Sequence, residues 1–249
     1  TQHLKAQPVL AGLPFEHWGE VLQEAANWGL LGRHELDQFL TIQPTLPYFL
    51  RLRLARQAEL KQAVEAAFCA YYDTYGGALY EATDSKDKEQ RQAGIVLTGL
   101  EYENLVHALD LALAQQVPFY NPYMALFKLL TRQNNHAAAV QLGDHVLAAR
   151  AGFAPAALTD RVAEDFFVVF GNTANAALSA KQYARAERTY REALAVIAAL
   201  PNLSAKKRAQ DTAIAYHQLG MVAQEQRQWA QAEQYYQQAL AIYIEFSDR

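Results

Sequence analysis

A repeat of 46 residues constrains this chain more than any other feature. Near the carboxyl end, Tyr216, Leu219, Gly220 and Ala223 fall on one helical face by the i, i+3, i+4, i+7 rule. After the polar turn from Glu225 to Gln228, a second stripe follows: Trp229, Ala232, Tyr236, Ala239, Leu240 and Tyr243. The same grammar stands upstream in Phe170, Thr173, Ala174 and Ala177, then Tyr183 at the turn, then Ala186, Tyr190, Ala193, Leu194 and Ile197. Ala232, Tyr236 and Ala239 each lie 46 residues beyond Ala186, Tyr190 and Ala193. A weaker copy reads Tyr123, Leu126, Phe127 and Leu130, then His136, Ala139, Gly143, Val146 and Leu147. Three copies in register predict an all-α fold of stacked helical hairpins, each burying its apolar face against its neighbours.

The small residues have a mechanical role in such a hairpin. Gly220 lets the first helix approach the second, and Ala232 and Ala239 add little bulk at the contact. Tyr216, Trp229 and Tyr236 are expected to fill the remaining space, so a large side chain at Gly220 or Ala232 would overpack it by about 1–3 kcal/mol. Tyr216-x-x-Leu219-Gly220, Trp229-x-x-Ala232 and Tyr236-x-x-Ala239 resemble the tetratricopeptide repeat, over residues 120–249 or so. The departure is length, since that family has a period of about 34 residues. The excess lies between Ile197 and Thr212, where the second helix is expected to run on to Leu200 and Pro201. A new helix then starts near Asn202 or Ser204, either of which can cap it.

The amino-terminal part reads differently. Phe15, Trp18, Val21, Leu22 and Ala25 predict an amphipathic helix ending near Asn27-Trp28-Gly29. Two apolar runs, Leu30-Leu31 and Phe39-Leu40-Thr41-Ile42, flank the polar stretch from Gly32 to Gln38 and fit a small hairpin. Pro44 and Pro47 interrupt the chain before Tyr48-Phe49-Leu50 opens another apolar helix. With LQEAANWGLL and IQPTLPYFLR, this stretch resembles the winged helix that follows the ATPase core of signal-transduction ATPases with numerous domains, the STAND class. The run from Leu100 to Leu109 resembles the helix that opens the repeat region of such proteins, and the long helices expected between Arg51 and Ala82 fit between. The resulting division is a winged-helix-like segment at 1–50, helical linker or repeat-like hairpins at 51–119, and extended repeats at 120–249. The winged helix is followed by an α-solenoid. That resemblance implies an ATPase domain upstream of Thr1. Because the apolar pattern persists from Ala241 to Phe246, the chain reads as a piece of a longer protein.

Composition narrows the function classes. A net charge of −4 removes the basic face a general nucleic-acid binder needs, and between Phe15 and Leu50 Arg33 is the one full positive charge against Glu16, Glu20, Glu24, Glu35 and Asp37. Arg51, Arg53 and Arg56 read as a solvated helix face, and Asp84 to Arg91 as a solvated loop. No apolar run reaches the length of a membrane span. A P-loop would need a glycine-rich turn ending in Gly-Lys-Ser/Thr, and Gly94 and Gly99 flank apolar residues instead. The histidines lack metal-ligand spacing, with His136 and His145 nine apart. Glu101/Glu103 and Glu164-Asp165 point in different directions from a helix. Cys69, the one cysteine, sits in an apolar run and reads as a small buried hydrophobe. No catalytic constellation and no cofactor are expected.

The resemblance implies a groove lined by the first helix of each hairpin. Off the packing stripe these helices offer Asn121, Lys128, Arg132, Asn175, His217, Gln224 and Glu225. Asn175, next to the small Ala174, falls where such arrays place a peptide-clamping asparagine. Lys128 and Arg132 would add positive charge for an acidic ligand or a chain-terminal carboxylate. The expected partner is a protein or peptide, with no nucleic acid and no membrane, in a cytoplasmic regulator. The alternatives are a freestanding scaffold or adaptor, or the ligand-sensing arm of a transcription regulator.

Overall fold

A computed structural model of the chain describes residues 1–34, 40–199 and 203–247. Among these stand twelve α-helices and one two-stranded antiparallel sheet, so the all-α, helical-repeat reading holds. The chain divides into two compact units, Thr1–Tyr71 and Tyr72–Arg249.

The first unit begins with α1 (Gln2–Lys5) and α2 (Trp18–Asn27). Helix α2 ends because Gly29 takes φ +70, which lets the Gly29 and Leu30 amides close back on the Ala26 and Ala25 carbonyls at 2.9 Å each. The hairpin then forms from β1 (Leu31–Arg33) and β2 (Leu40–Ile42), with Leu31 opposite Ile42 and Arg33 opposite Leu40. Gly32 and Arg33, read from sequence as part of the polar connection, are strand residues; Phe39 lies outside the described residues. Helix α3 (Leu46–Leu54) takes Pro47 into its first turn, where the missing N–H has no intrahelical role. Helix α4 (Ala58–Asp84) comes next. A small core gathers Leu10, Phe15 and Ala63, with Leu4, Leu60 and Val64 against it. Neither α2 nor α3 buries a single residue.

In the second unit, α5 (Lys88–Leu100) and α6 (Tyr102–Gln115) are separated only by Glu101. The buried Glu101 carboxylate accepts from the Tyr72 hydroxyl at 2.7 Å and the Asn104 amide at 2.8 Å. The stretch from Asp84 to Arg91 is a loop only from Ser85 to Asp87: Asp84 closes α4, and Asp87 caps α5 by accepting from the Gln90 amide at 2.8 Å, so the helix takes in Lys88 to Arg91. Gly94 sits so close to α4 that an added Cβ would lie 2.5 Å from the Thr83 backbone nitrogen. Three hairpins complete the unit: α7 (Tyr120–Arg132) with α8 (His136–Ala149), α9 (Asp160–Ser179) with α10 (Tyr183–Ala199), and α11 (Ala205–Glu225) with α12 (Trp229–Ser247).

Each hairpin turns through three residues, the middle one left-handed: Asn134 at φ 55, Lys181 at φ 60 and Arg227 at φ 59. The residue after it donates back to the first helix each time, Asn135 to Leu130 at 2.8 Å, Gln182 to Ala177 at 2.8 Å and Gln228 to Ala223 at 2.9 Å. Ser204 caps α11 by accepting from the Lys207 amide at 3.2 Å, as its position predicts. Leu200, Pro201 and Asn202 lie outside the described residues. No helix of the described residues is long and apolar enough to cross a membrane.

The repeat grammar holds at its small residues. Ala139, Ala186 and Ala232 are buried at the same place in α8, α10 and α12, as are Val146, Ala193 and Ala239. Gly220 faces Tyr236, with an added Cβ 2.5 Å from the ring, and Gly143 faces Thr173. The large residues of the last stripe need correction. Trp229, Leu240 and Tyr243 are exposed rather than packed, whereas Tyr235 of α12 is buried and stacks on Tyr216 with ring centres 6.3 Å apart. Cys69 is half-buried, and burial followed by the nearby Glu65 pushes its thiol up to about 11, away from thiolate chemistry at neutral pH.

Candidate functional site

The first helices of the three hairpins share a register, so equivalent residues form rows across α7, α9 and α11. Lys128, Asn175 and Met221 make one row; Arg132, Ser179 and Glu225 make another; Met124, Gly171 and His217 make a third. These rows are continuous in sequence terms but not alike in surroundings.

On α7 the candidate residues are occupied by α4. The Asn121 amide donates to Asp73 at 3.0 Å, and its side chain lies against Gly77. Lys128 and Arg132 both pair with Asp84, at 2.6 and 3.0 Å. The Lys128 hydrogen bond, reinforced by the charges of Lys128 and Arg132, holds the Asp84 carboxyl below its ordinary range. The free positive charge expected here is therefore already met by an aspartate 48 residues before Arg132.

On α9 and α11 the remaining candidates stand open. Asn175 is exposed, and its side-chain oxygen accepts from the Tyr190 hydroxyl at 2.6 Å. Exposed His217 lies 5.5 Å from the Tyr236 ring, and exposed Gln224 accepts from the Tyr236 hydroxyl at 2.9 Å. Glu225 is exposed at the end of α11. Thus α10 and α12 each use one tyrosine hydroxyl, 46 residues apart, to fix a polar side chain of the helix before it. Met221 and Ile214, both partly exposed, add apolar surface to this face, and no Cβ at Gly171 would meet anything within 4 Å.

Two aspartates 46 residues apart are buried, Asp165 in α9, weighed from sequence only as an adjacent pair with Glu164, and Asp211 in α11, which sequence reasoning passed over. Asp165 accepts from the Phe119 amide at 3.0 Å, across the start of α7, and borders an open hollow of about 310 Å³ with Tyr120, Arg161, Glu164 and Val168. Burial raises its carboxyl, against the pull of that amide and of Arg161. Asp211 pairs with Lys207 at 2.8 Å. The register that revealed the alanines would have revealed these acids, had it been extended to charged residues. Among the described residues no group of three His, Cys, Asp or Glu side chains could hold a metal ion.

A tetratricopeptide-repeat family model matches residues 212–245. The matched segment begins inside α11, after the part that makes this repeat longer than the family's, and ends inside α12. No curated protein and no solved structure matches the chain.

Proposed function

We propose that this chain is a non-catalytic recognition module that binds a protein or peptide along the face of α9 and α11. The observation that carries it is the set of exposed polar side chains, Asn175 on α9 and His217, Gln224 and Glu225 on α11, on first helices of tetratricopeptide-like hairpins, with a helix surface left bare by Gly171. Tyr190 and Tyr236 hold two of those polar groups in place before any ligand arrives, which reduces the ordering needed on binding. Met221 and Ile214 supply apolar contact, so an extended peptide with alternating polar and apolar side chains fits the face. Lys128 and Arg132 continue two of the rows onto α7, where Asn121 also stands, and a ligand reaching these three would compete with Asp73 and Asp84.

Selection of a displayed peptide library on the 249-residue chain tests this reading. Selected peptides should lose at least tenfold in affinity with Asn175→Ala and with Gly171→Arg, which fills the bare surface. Selection yielding no peptide, or peptides indifferent to both substitutions, would overturn it.

The finer reading is that the module is the sensor arm of a cytoplasmic STAND-type regulator, with residues 1–50 as its winged helix. The β1–β2 hairpin after α2 supports that order of elements. A P-loop encoded ahead of Thr1 in the gene would favour it, and calorimetry with ATP should show no binding by residues 1–249 themselves. A gene with no such segment would favour the freestanding scaffold.

A further inference from the structure

Asp165 and Asp211 hold the same place in the register, yet only one of them has a cationic partner. In α11, Lys207 stands one turn before Asp211 and sets its ammonium 2.8 Å from the carboxylate. Arg161 stands 46 places before Lys207 and one turn before Asp165, but among the described residues it forms no ion pair. Asp165 is 5% exposed and accepts from backbone alone, at 3.0 Å from the Phe119 amide. Helix lengths explain the room beside it. The residue 46 places before Asp160, the first of α9, is Ala114, still within α6, whereas α7 begins at Tyr120. The stretch of α9 before Asp165 therefore has no matching turns in α7. There the hollow of about 310 Å³ opens, between Tyr120 and the α9 residues Arg161, Glu164, Asp165 and Val168. No such offset separates α9 from α11, since 46 places after Asp160 is Lys206, next to the first residue of α11.

We propose that this hollow binds a primary ammonium group brought by a ligand, seated on Asp165 as the Lys207 ammonium is seated on Asp211. Two acids, Glu164 and Asp165, outnumber the single base Arg161 in its lining, so a cation is favoured over an anion. Tyr120 adds an aromatic wall that suits a cation, and Val168 an apolar one for an alkyl stem. Among the described residues no group of three His, Cys, Asp or Glu could hold a metal ion, which leaves an organic cation. A compact ammonium needs one oxygen at a time and suits a carboxylate whose Oδ2 already holds the Phe119 amide, whereas a guanidinium fork is matched to both oxygens. Burial raises the empty Asp165 carboxyl, and an arriving ammonium would offset that cost. The hollow lies along the first half of α9 and shares no residue with the recognition face, where Asn175 stands. A lysine side chain and the amino terminus of a chain both carry the required group.

Two probes separate those sources: Nα-acetyl-lysine methylamide, with a free side-chain amine, and alanyl-alanine amide, with a free amino terminus. Each is titrated into the isotope-labelled 249-residue chain while the amide resonances of Phe119 and Tyr120 are followed. Saturable shifts are expected with at least one probe, and the tighter of the two identifies the source. Acetylating the amine should abolish the shifts. Asp165→Asn removes the charge but keeps an acceptor for the Phe119 amide, so it should fold and bind at least tenfold more weakly. Arg161→Lys places an ammonium where Lys207 stands in α11 and should weaken binding likewise, by filling the hollow from within. Asn175→Ala should change nothing, which keeps this site apart from the recognition face. Absence of saturable shifts with both probes overturns the proposal, as do shifts that survive acetylation or either substitution in α9, or that vanish with Asn175→Ala. Tighter binding of Nα-acetyl-arginine methylamide overturns it too, because a guanidinium would then be the preferred group.

Discussion

Helices α2 and α7 carry equally regular apolar stripes, Trp18, Val21, Leu22 and Ala25 in one and Tyr123, Leu126, Phe127 and Leu130 in the other. In α7 all four are buried; in α2 none is. Periodicity describes a helix's own geometry and says nothing about whether a surface exists to receive it. What α7 has is a neighbour that lets it come close, since a Cβ added at Gly76 or Gly77 in α4 would lie 3.2 to 3.4 Å from Asn121 and Pro122 at its start. At Gly12, Gly19 and Gly29, in and around α2, an added Cβ would meet nothing within 4 Å, and Trp28, Tyr48, Phe49 and Leu52 remain exposed.

The contrast can be broken most forcefully in the core of the second unit. Leu126→Ala empties a fully buried site and should cost about 2–5 kcal/mol in denaturant unfolding. A loss near zero would mean that α7 is no better packed than α2.

Next come the glycines, which grade the closeness of approach. Gly94→Ala meets α4 backbone, Gly143→Ala meets the fully buried Thr173, and Gly220→Ala meets a half-exposed tyrosine ring that can swing aside. The expected order of destabilisation is Gly94, then Gly143, then Gly220, the first two within the overpacking range of about 1–3 kcal/mol. At Gly220 the helix preference of alanine, worth about 1 kcal/mol, should offset most of the loss. Thermal melts showing Gly220→Ala as the worst of the three would contradict the geometry.

Smaller effects separate Asp84 from Asp165. The Asp84 carboxyl is held down by Lys128 and Arg132, so its contribution is present at neutral pH and lost as pH falls through its lowered range. Asp84→Asn should therefore destabilise at pH 7 by less than about 1 kcal/mol, since the pair is partly exposed, and the difference should close in acid. Asp165 is raised by burial, so its charge opposes folding as pH rises through its carboxyl range. Asp165→Asn keeps an acceptor for the Phe119 amide and should stabilise at pH 7, with the gain vanishing in acid. Melts at pH 7 and in acid decide both signs.

The smallest effect lies in the first unit, where Leu52→Ser and Trp28→Ser should each move stability by no more than about 0.5 kcal/mol. A larger loss would show that these side chains are packed after all.

The parts of this fold legible in the sequence are those that repeat. Ala186 and Ala232, Ala193 and Ala239, and the Gly220–Tyr236 contact all come out of spacing, because each is made within a hairpin or its copy. Ser204 was legible because a cap acts on the next few residues. The pairing of Lys128 and Arg132 with Asp84, and of Asp165 with Phe119, spans 44 to 48 residues and belongs to no period of a single helix. The exposure of Trp229, Leu240 and Tyr243 was hidden for a related reason: a stripe copied from α10 keeps its apolar character wherever the copy stands, covered or not.

The three matching turns at Asn134, Lys181 and Arg227 carry a consequence for how such a chain can grow. Since the turn inside each hairpin has the same length and the same backbone bend, duplicating the 46 residues from Lys181 to Gln226 would join one such turn to another at the seam. Gene duplication could lengthen the array one block at a time, with each added block arriving already shaped to fit.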